Sequence, residues 1–256
     1  MSHTPPNLVD VFLVAGQSNA EGTGDPGDAP EVPDGAGFEY RPGNDELVHL
    51  QEPVGRGEGG SAWAAFAREY EAKTGRPVVV VSTAVGGSAQ HADADGGSGH
   101  WDDGGELRPA AVAALRDCLD RLDASCVQYA FRGILWHQGE SEAMQIGEGV
   151  VTLEDYEGAF WRMLSVFREA FEEPEMNLFL FKIGRHRDAE DPGWREVRAA
   201  QDRFAGSDDH IHLVFEDAVN YVETGNMQDI VHYDQEGYNH MGQEGARRVA
   251  AIVHGD

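Results

Sequence analysis

Apolar runs alternate with amphipathic stretches from one end of the 256-residue chain to the other. Five runs carry the β-branched and aromatic residues of buried strands: Val9 to Ala15, Pro77 to Thr83, Val127 to Trp136, Asn177 to Ile183 and His210 to Phe215. Between them apolar positions return every three or four residues, the period of a helix with one buried face. The clearest case runs from Leu153 to Phe171, where Tyr156, Phe160, Met163, Leu164 and Phe167 share a face. Thr152 followed by Asp155 predicts a capping box with the shorter acid in the usual Glu position. Further helices are predicted at Ala62 to Lys73, Leu107 to Leu122, Trp194 to Phe204 and Gln243 to Val253. Strands alternating with helices predict an α/β fold, a mostly parallel sheet of about five strands covered by helices, in one domain spanning residues 1–256.

Two stretches rich in Gly, Pro and Asp interrupt this pattern, Gly22 to Gly43 and Gly86 to Gly105. Each follows a predicted strand, and open α/β sheets bind ligands beyond the carboxyl ends of their strands. These loops are therefore expected to border a site.

Composition narrows the partners. No apolar run approaches the roughly 18 residues needed to span a bilayer. Acidic residues number 46 against 19 basic ones, a formal charge of −27. Nucleic acid and anionic membrane surfaces are bound through clustered Lys and Arg, so neither is an expected partner. Only Lys73 and Lys182 are lysines, and the carboxylates are spread along the chain, as in halophile proteins. Molar salt shortens the Debye length to about 3 Å and relieves self-repulsion in such a chain. Met1 to Asp10 has neither the cationic nor the apolar region of a secretory signal, so cytoplasmic residence is the default expectation. Cys118 and Cys126 match no zinc spacing and are read as thiols of a core or helix flank.

Four clusters carry candidate chemistry. The first strand breaks at Gly16 and presents Gln17-Ser18-Asn19-Ala20-Glu21-Gly22. A serine hydroxyl becomes a competent nucleophile when a base takes its proton and amides hold the oxyanion. The second strand ends in Ala84-Val85-Gly86-Gly87-Ser88, where paired glycines let backbone N–H groups approach a ligand or simply make a turn. The third ends in Trp136-His137-Gln138-Gly139-Glu140-Ser141-Glu142, placing an amide and a carboxylate together in what reads as a polar loop. Finally, Asp229-Ile230-Val231-His232 lies in a loop before the last helix, where a three-residue gap can fold the aspartate onto the imidazole.

Taken in this order, the clusters resemble the SGNH hydrolase superfamily, and within it the sialate O-acetylesterase and acetylxylan esterase group, carbohydrate esterase family six. The matching segments are residues 16–22, 86–88, 136–142 and 229–232, with Trp194 to Gln201 in addition. The resemblance implies a three-layer α/β/α sandwich of flavodoxin-like type. It implies Ser18 as nucleophile, His232 as general base and then acid, and Asp229 as its orienting carboxylate, with Glu140 as the alternative triad acid or a support for its loop. The oxyanion hole would comprise the N–H groups of Ser18 and Gly87 and the side chain of Gln138. Gln17 and Asn19 are expected to touch substrate, and Trp101 to be either a core plug or a platform for a sugar ring. Ala20 stands where such enzymes usually have methionine, and Glu21 where they usually have a small residue, which bears on substrate fit.

The implied reaction is removal of an O-acetyl group from a carbohydrate small molecule or oligosaccharide, with no cofactor. A carbohydrate-binding protein without turnover, or an SGNH lipase or thioesterase, are the competing readings. A metal hydrolase draws on His91, Asp93, Asp95, His100, Asp102 and Asp103, which crowd into one loop without a metalloenzyme spacing.

Overall fold

The computed structural model describes residues 8–188 and 192–255, so the leader reading on Met1 to Asp10 lies mostly outside the described residues. Among the described residues seven strands form one sheet: β1 (Leu8–Gly16), β2 (Gly37–Arg41), β3 (Glu46–His49), β4 (Val78–Ser82), β5 (Gln128–His137), β6 (Leu178–Phe181) and β7 (Ile211–Phe215). Their order is β3-β2-β4-β1-β5-β6-β7, parallel throughout except for the β2–β3 pair at one edge. The expected five strands are all present, and the count is corrected to seven by β2 and β3. These two fall in and just after the Gly- and Pro-rich stretch that reads as loop. Both are short; β2 alternates apolar with charged residues and β3, at the sheet edge, is only half-buried, so neither shows the continuous apolar run of a buried parallel strand.

The helices are α1 (Ser18–Glu21), α2 (Trp63–Thr74), α3 (Leu107–Ala124), α4 (Glu140–Gly147), α5 (Leu153–Ala170), α6 (Pro192–Ser207), α7 (Tyr221–Thr224) and α8 (Gln235–His254). Alternate residues of β1 feed opposite cores, as a period of two requires. Val9, Val11, Leu13 and Ala15 pack with Leu115 of α3, Phe160 of α5 and Phe204 of α6 on one side. Phe12 and Val14 pack with Phe66 of α2 and Val249 of α8 on the other. The sheet is thus the middle of three layers. The capping box at the start of α5 is formed, with Thr152 and Asp155 each accepting from the other's backbone N–H.

Two helical expectations change. The segment after β5 is not loop throughout, since Glu140 opens α4. The last helix begins at Gln235 rather than Gln243, because Asp234 accepts a hydrogen bond from Gly237 N–H and caps it eight residues earlier. Cys118 is buried and Cys126 exposed, both as free thiols. No helix among the described residues is long and apolar enough to cross a membrane.

Candidate active site

The chain reverses direction around the central strand: β2 to β4 lie on one side of β1, and β5 to β7 on the other. The crevice beyond the carboxyl end of β1 is the switch point at which such sheets bind ligands. Gly16 ends β1 at φ +131°, and a Cβ there would stand 2.0 Å from the His137 carbonyl oxygen, so no larger residue fits between β1 and β5. The turn that follows lifts Ser18 to a half-buried position over the strand ends.

His232 comes to Ser18 from the other end of the chain. Its Nε2 lies 2.9 Å from Ser18 Oγ, and its Nδ1 lies 2.7 Å from Asp229 Oδ2. The second oxygen of Asp229 accepts the N–H groups of Val231 and His232, both at 2.8 Å, so the carboxylate folds the turn and fixes the ring together. Partial burial pushes the Asp229 carboxyl up, but these hydrogen bonds outweigh it and hold the group below the usual aspartate range. Asp229 therefore stays charged opposite an imidazole whose Nδ1 must carry a proton, leaving Nε2 as acceptor toward Ser18.

Glu140 does not face His232. It is buried, accepts from Asn19 Nδ2 at 2.7 Å, and lies 3.2 Å from His137 Nε2. Burial raises its carboxyl, yet the His137 ring and the hydrogen bonds from His137 and Asn19 prevail and keep it below the ordinary glutamate range. Of the two acids open at the sequence level, Asp229 is the one beside the imidazole, and Glu140 holds the floor.

Gln17 and Asn19 are not at the substrate surface. Both are buried. Gln17 Oε1 accepts from the backbone N–H groups of Gly139, Glu140 and Ser141 at 3.1–3.3 Å, groups that have no partner within α4. Asn19 Nδ2 also donates to the Val231 carbonyl, while its Oδ1 accepts from Tyr238 Oη at 2.7 Å. Asn19 thereby ties the serine turn to the histidine turn. A polar residue next to a nucleophile reads as a ligand contact in sequence, and only the tertiary fold shows that its hydrogen bonds are already taken.

Of the two readings open for Trp101, the structure favours the core plug over the sugar platform. The side chain is fully buried, packs edge-on against Trp136, and donates its indole N–H to Ser88 Oγ at 3.1 Å, so it offers no face to a sugar. Ser88 Oγ in turn donates to the Gly16 carbonyl, and Ser141 Oγ donates to the Ser88 carbonyl. Trp101 and the two serines brace the glycine turn against β1 and α4. The sequence reading gave Ser88 and Ser141 no such part.

That turn lies against the serine. A Cβ on Gly86 would be 3.8 Å from Ser18 Cβ, and Gly86 N–H donates to Glu21 Oε2 at 2.6 Å. The next N–H, that of exposed Gly87, has no acceptor among the described residues, nor does the N–H of Ser18. Gln138, the third expected oxyanion donor, is fully buried with its amide nitrogen turned to Glu142 and to Gln17 Oε1. In this arrangement it is a strut of the wall and not a donor to the crevice. Glu142 is buried as well, and burial pushes its carboxyl up to about 7 despite hydrogen bonds from Gln138 and from the N–H groups of His91 and Gln90.

In the acidic loop at residues 91–103, two of the carboxylates are held by hydrogen bonds, one from the loop's own backbone and one from α5. Asp95 Oδ1 accepts from the N–H groups of Gly97, Ser98 and Gly99, and Arg162 grips Asp102 with two hydrogen bonds of 2.7 Å.

Solved structures share this architecture. A protein from Arabidopsis thaliana superposes with a TM-score of 0.72 at 18% identity, covering 97% of this chain and 100% of its own. A carbohydrate acetylesterase from Xanthomonas citri gives 0.61 at 19% identity over 96% of this chain, which spans 57% of that longer protein. NanS gives 0.54 at 18% identity, with 90% and 78% covered. At these identities the likeness speaks for the fold alone. No match was found among curated proteins. The family described as carbohydrate esterase, sialic acid-specific acetylesterase, matches residues 8–251, nearly the whole chain. The chain belongs to this family, and it is a carboxylic ester hydrolase.

Proposed function

We propose that the protein removes O-acetyl groups from saccharides through an acetyl-enzyme formed on Ser18. The observation that carries this reading is the unbroken relay from Ser18 Oγ through His232 to Asp229, at 2.9 and 2.7 Å. Ser18 Oγ attacks the acetyl carbonyl carbon while its proton passes to His232 Nε2. The carbonyl oxygen becomes an oxyanion held by the N–H groups of Ser18 and Gly87, preorganised donors that need not reorient as charge develops. The C–O bond to the sugar then breaks, and His232 returns the proton to the departing alkoxide. Water, deprotonated by the same imidazole, attacks the acetyl carbonyl and releases acetate and the free serine. Asp229 keeps the imidazole in the acceptor tautomer and stabilises the imidazolium formed in each half-reaction.

The test is acetate release from acetylated xylan fragments, acetylated sialic acid and acetylated monosaccharides, with 4-nitrophenyl acetate alongside and Ser18→Ala as the comparison. Turnover in the parent chain and a loss of several orders of magnitude in the variant are expected. Saccharide binding that survives in Ser18→Ala, with no hydrolysis in either protein, would replace the enzyme by a binding module on the same fold.

A further inference from the structure

Beside the serine turn, the ends of β2 and β4 and the start of α3 enclose a cavity of about 420 Å³, within the range of small-ligand sites. Its lining combines apolar side chains, Val85, Leu107 and Ala110, with hydrogen-bonding ones, Arg41, Asn44 and Arg56. Such a mixed lining suits a saccharide ring, which has C–H faces and a hydroxyl rim.

The cavity adjoins the reacting centre through two residues. Val85 immediately precedes Gly86, whose N–H is held by Glu21, and Arg56 Nε lies 3.7 Å from the other oxygen of Glu21. The two arginines differ in freedom. Arg41 is hydrogen-bonded to the buried Glu39, which also takes the N–H of Gly55 at 2.7 Å. The Arg56 side chain is 66% exposed, and its guanidinium makes no hydrogen bond to the described residues, so its donors are available to a ligand.

Resting on the esterase reading, we propose that this cavity is a saccharide subsite that takes the ring linked to the acetylated one, with Arg56 as a specificity-determining donor. The ester carbonyl lies over Gly87, and the leaving sugar extends past Val85 so that its neighbour contacts Leu107 and Ala110 and accepts hydrogen bonds from Arg56. Glu21 serves both sides, aligning the Gly86–Gly87 turn and keeping Arg56 at the cavity mouth. The preferred substrate is accordingly an acetylated oligosaccharide and not a free acetylated monosaccharide.

The experiment compares kcat/KM for acetylated xylotriose and acetylated xylose in the parent chain, Ala110→Trp and Arg56→Gln. Both positions are exposed, so neither change disturbs the core. The parent chain is expected to favour the trisaccharide by about tenfold or more, the order of one charge-assisted hydrogen bond plus apolar contact. Ala110→Trp fills the cavity and should bring that ratio to about one. Arg56→Gln should lower it about fivefold through KM, with kcat little changed. An equal preference in the parent chain, or a ratio untouched by both variants, overturns the subsite. So does a result in which Ala110→Trp instead lowers 4-nitrophenyl butanoate relative to acetate, which makes the cavity an acyl pocket. If the parent chain hydrolyses none of these esters, the esterase reading itself falls and this inference with it.

Discussion

Replacing Asp229 by Asn isolates what its charge contributes. The amide has the carboxylate's shape, but only one of its two heads can accept. In the native turn Oδ1 takes two backbone N–H groups at 2.8 Å and Oδ2 takes His232 Nδ1 at 2.7 Å. If the amide oxygen keeps the two backbone bonds, its NH2 faces Nδ1 and forces the ring into the tautomer protonated on Nε2. That ring donates to Ser18 Oγ where it should accept, and the base is lost. The opposite rotamer restores the ring contact but sets NH2 against two N–H donors, at a cost of about 1–3 kcal/mol for each unsatisfied group. The first arrangement therefore dominates. We expect kcat on 4-nitrophenyl acetate to fall about 10³-fold, equivalent to about 4 kcal/mol of transition-state stabilisation, with little change in melting temperature. Half-exposure of the Asp229 side chain moderates the loss relative to a deeply buried triad acid. Residual activity above a tenth of the parent's, or a larger kcat loss from Glu140→Gln at unchanged melting temperature, would refute the assignment.

Other consequences follow from the same geometry. Glu142 is raised on folding to about 7, so the folded chain binds a proton that the unfolded chain releases near 4.3. Stability is then fuller in acid and declines as pH rises through that window, by roughly 3–4 kcal/mol. Glu142→Gln should flatten this slope in denaturant titrations between pH 5 and 8, and an unchanged slope contradicts the argument. Trp101→Phe removes the indole donor to Ser88 inside the core, so it should cost about 1–2 kcal/mol of stability. It should leave KM for an acetylated sugar within about twofold, whereas a stacking platform predicts a large rise in KM. With a formal charge of −27, the unfolding midpoint should climb steeply from dilute buffer to molar KCl, and a flat profile would remove the halophile reading.

The legible parts of the molecule are those in which sequence pattern and burial coincide. β4 is an apolar run of four valines and β1 one broken only by the buried, Arg132-paired Asp10, because both are covered on both faces, and their bounds are recovered to within a residue or so. β2 is invisible because Glu39 and Arg41 interrupt it, although the buried Glu39 is satisfied by Arg41 and Gly55 N–H, a pairing no local pattern announces. The beginning of α8 is hidden by Gly237 and Gly242. A Cβ on Gly242 would meet the Ala62 carbonyl at 2.2 Å, so a residue that reads as a helix breaker is required for helix packing. At the site, the juxtaposition of Ser18, His232 and Asp229 is legible because chemistry restricts which residue types can serve. Gln17 and Asn19 are misread, and Trp101 is left open between core and ligand, for the opposite reason. Polar or aromatic neighbours of a nucleophile can face the ligand or support the loops, and long-range partners such as Glu140, Tyr238 and Ser88 decide between these.

The 214 positions separating Ser18 from His232 have a consequence for biosynthesis. During translation the hydroxyl emerges well before its imidazole partner, which is added 214 residues later. A growing chain can pair its early strands and remain chemically inert until the His232 segment has left the ribosome and docked. Fragments ending before residue 229 should be dead, however well their remaining strands assemble.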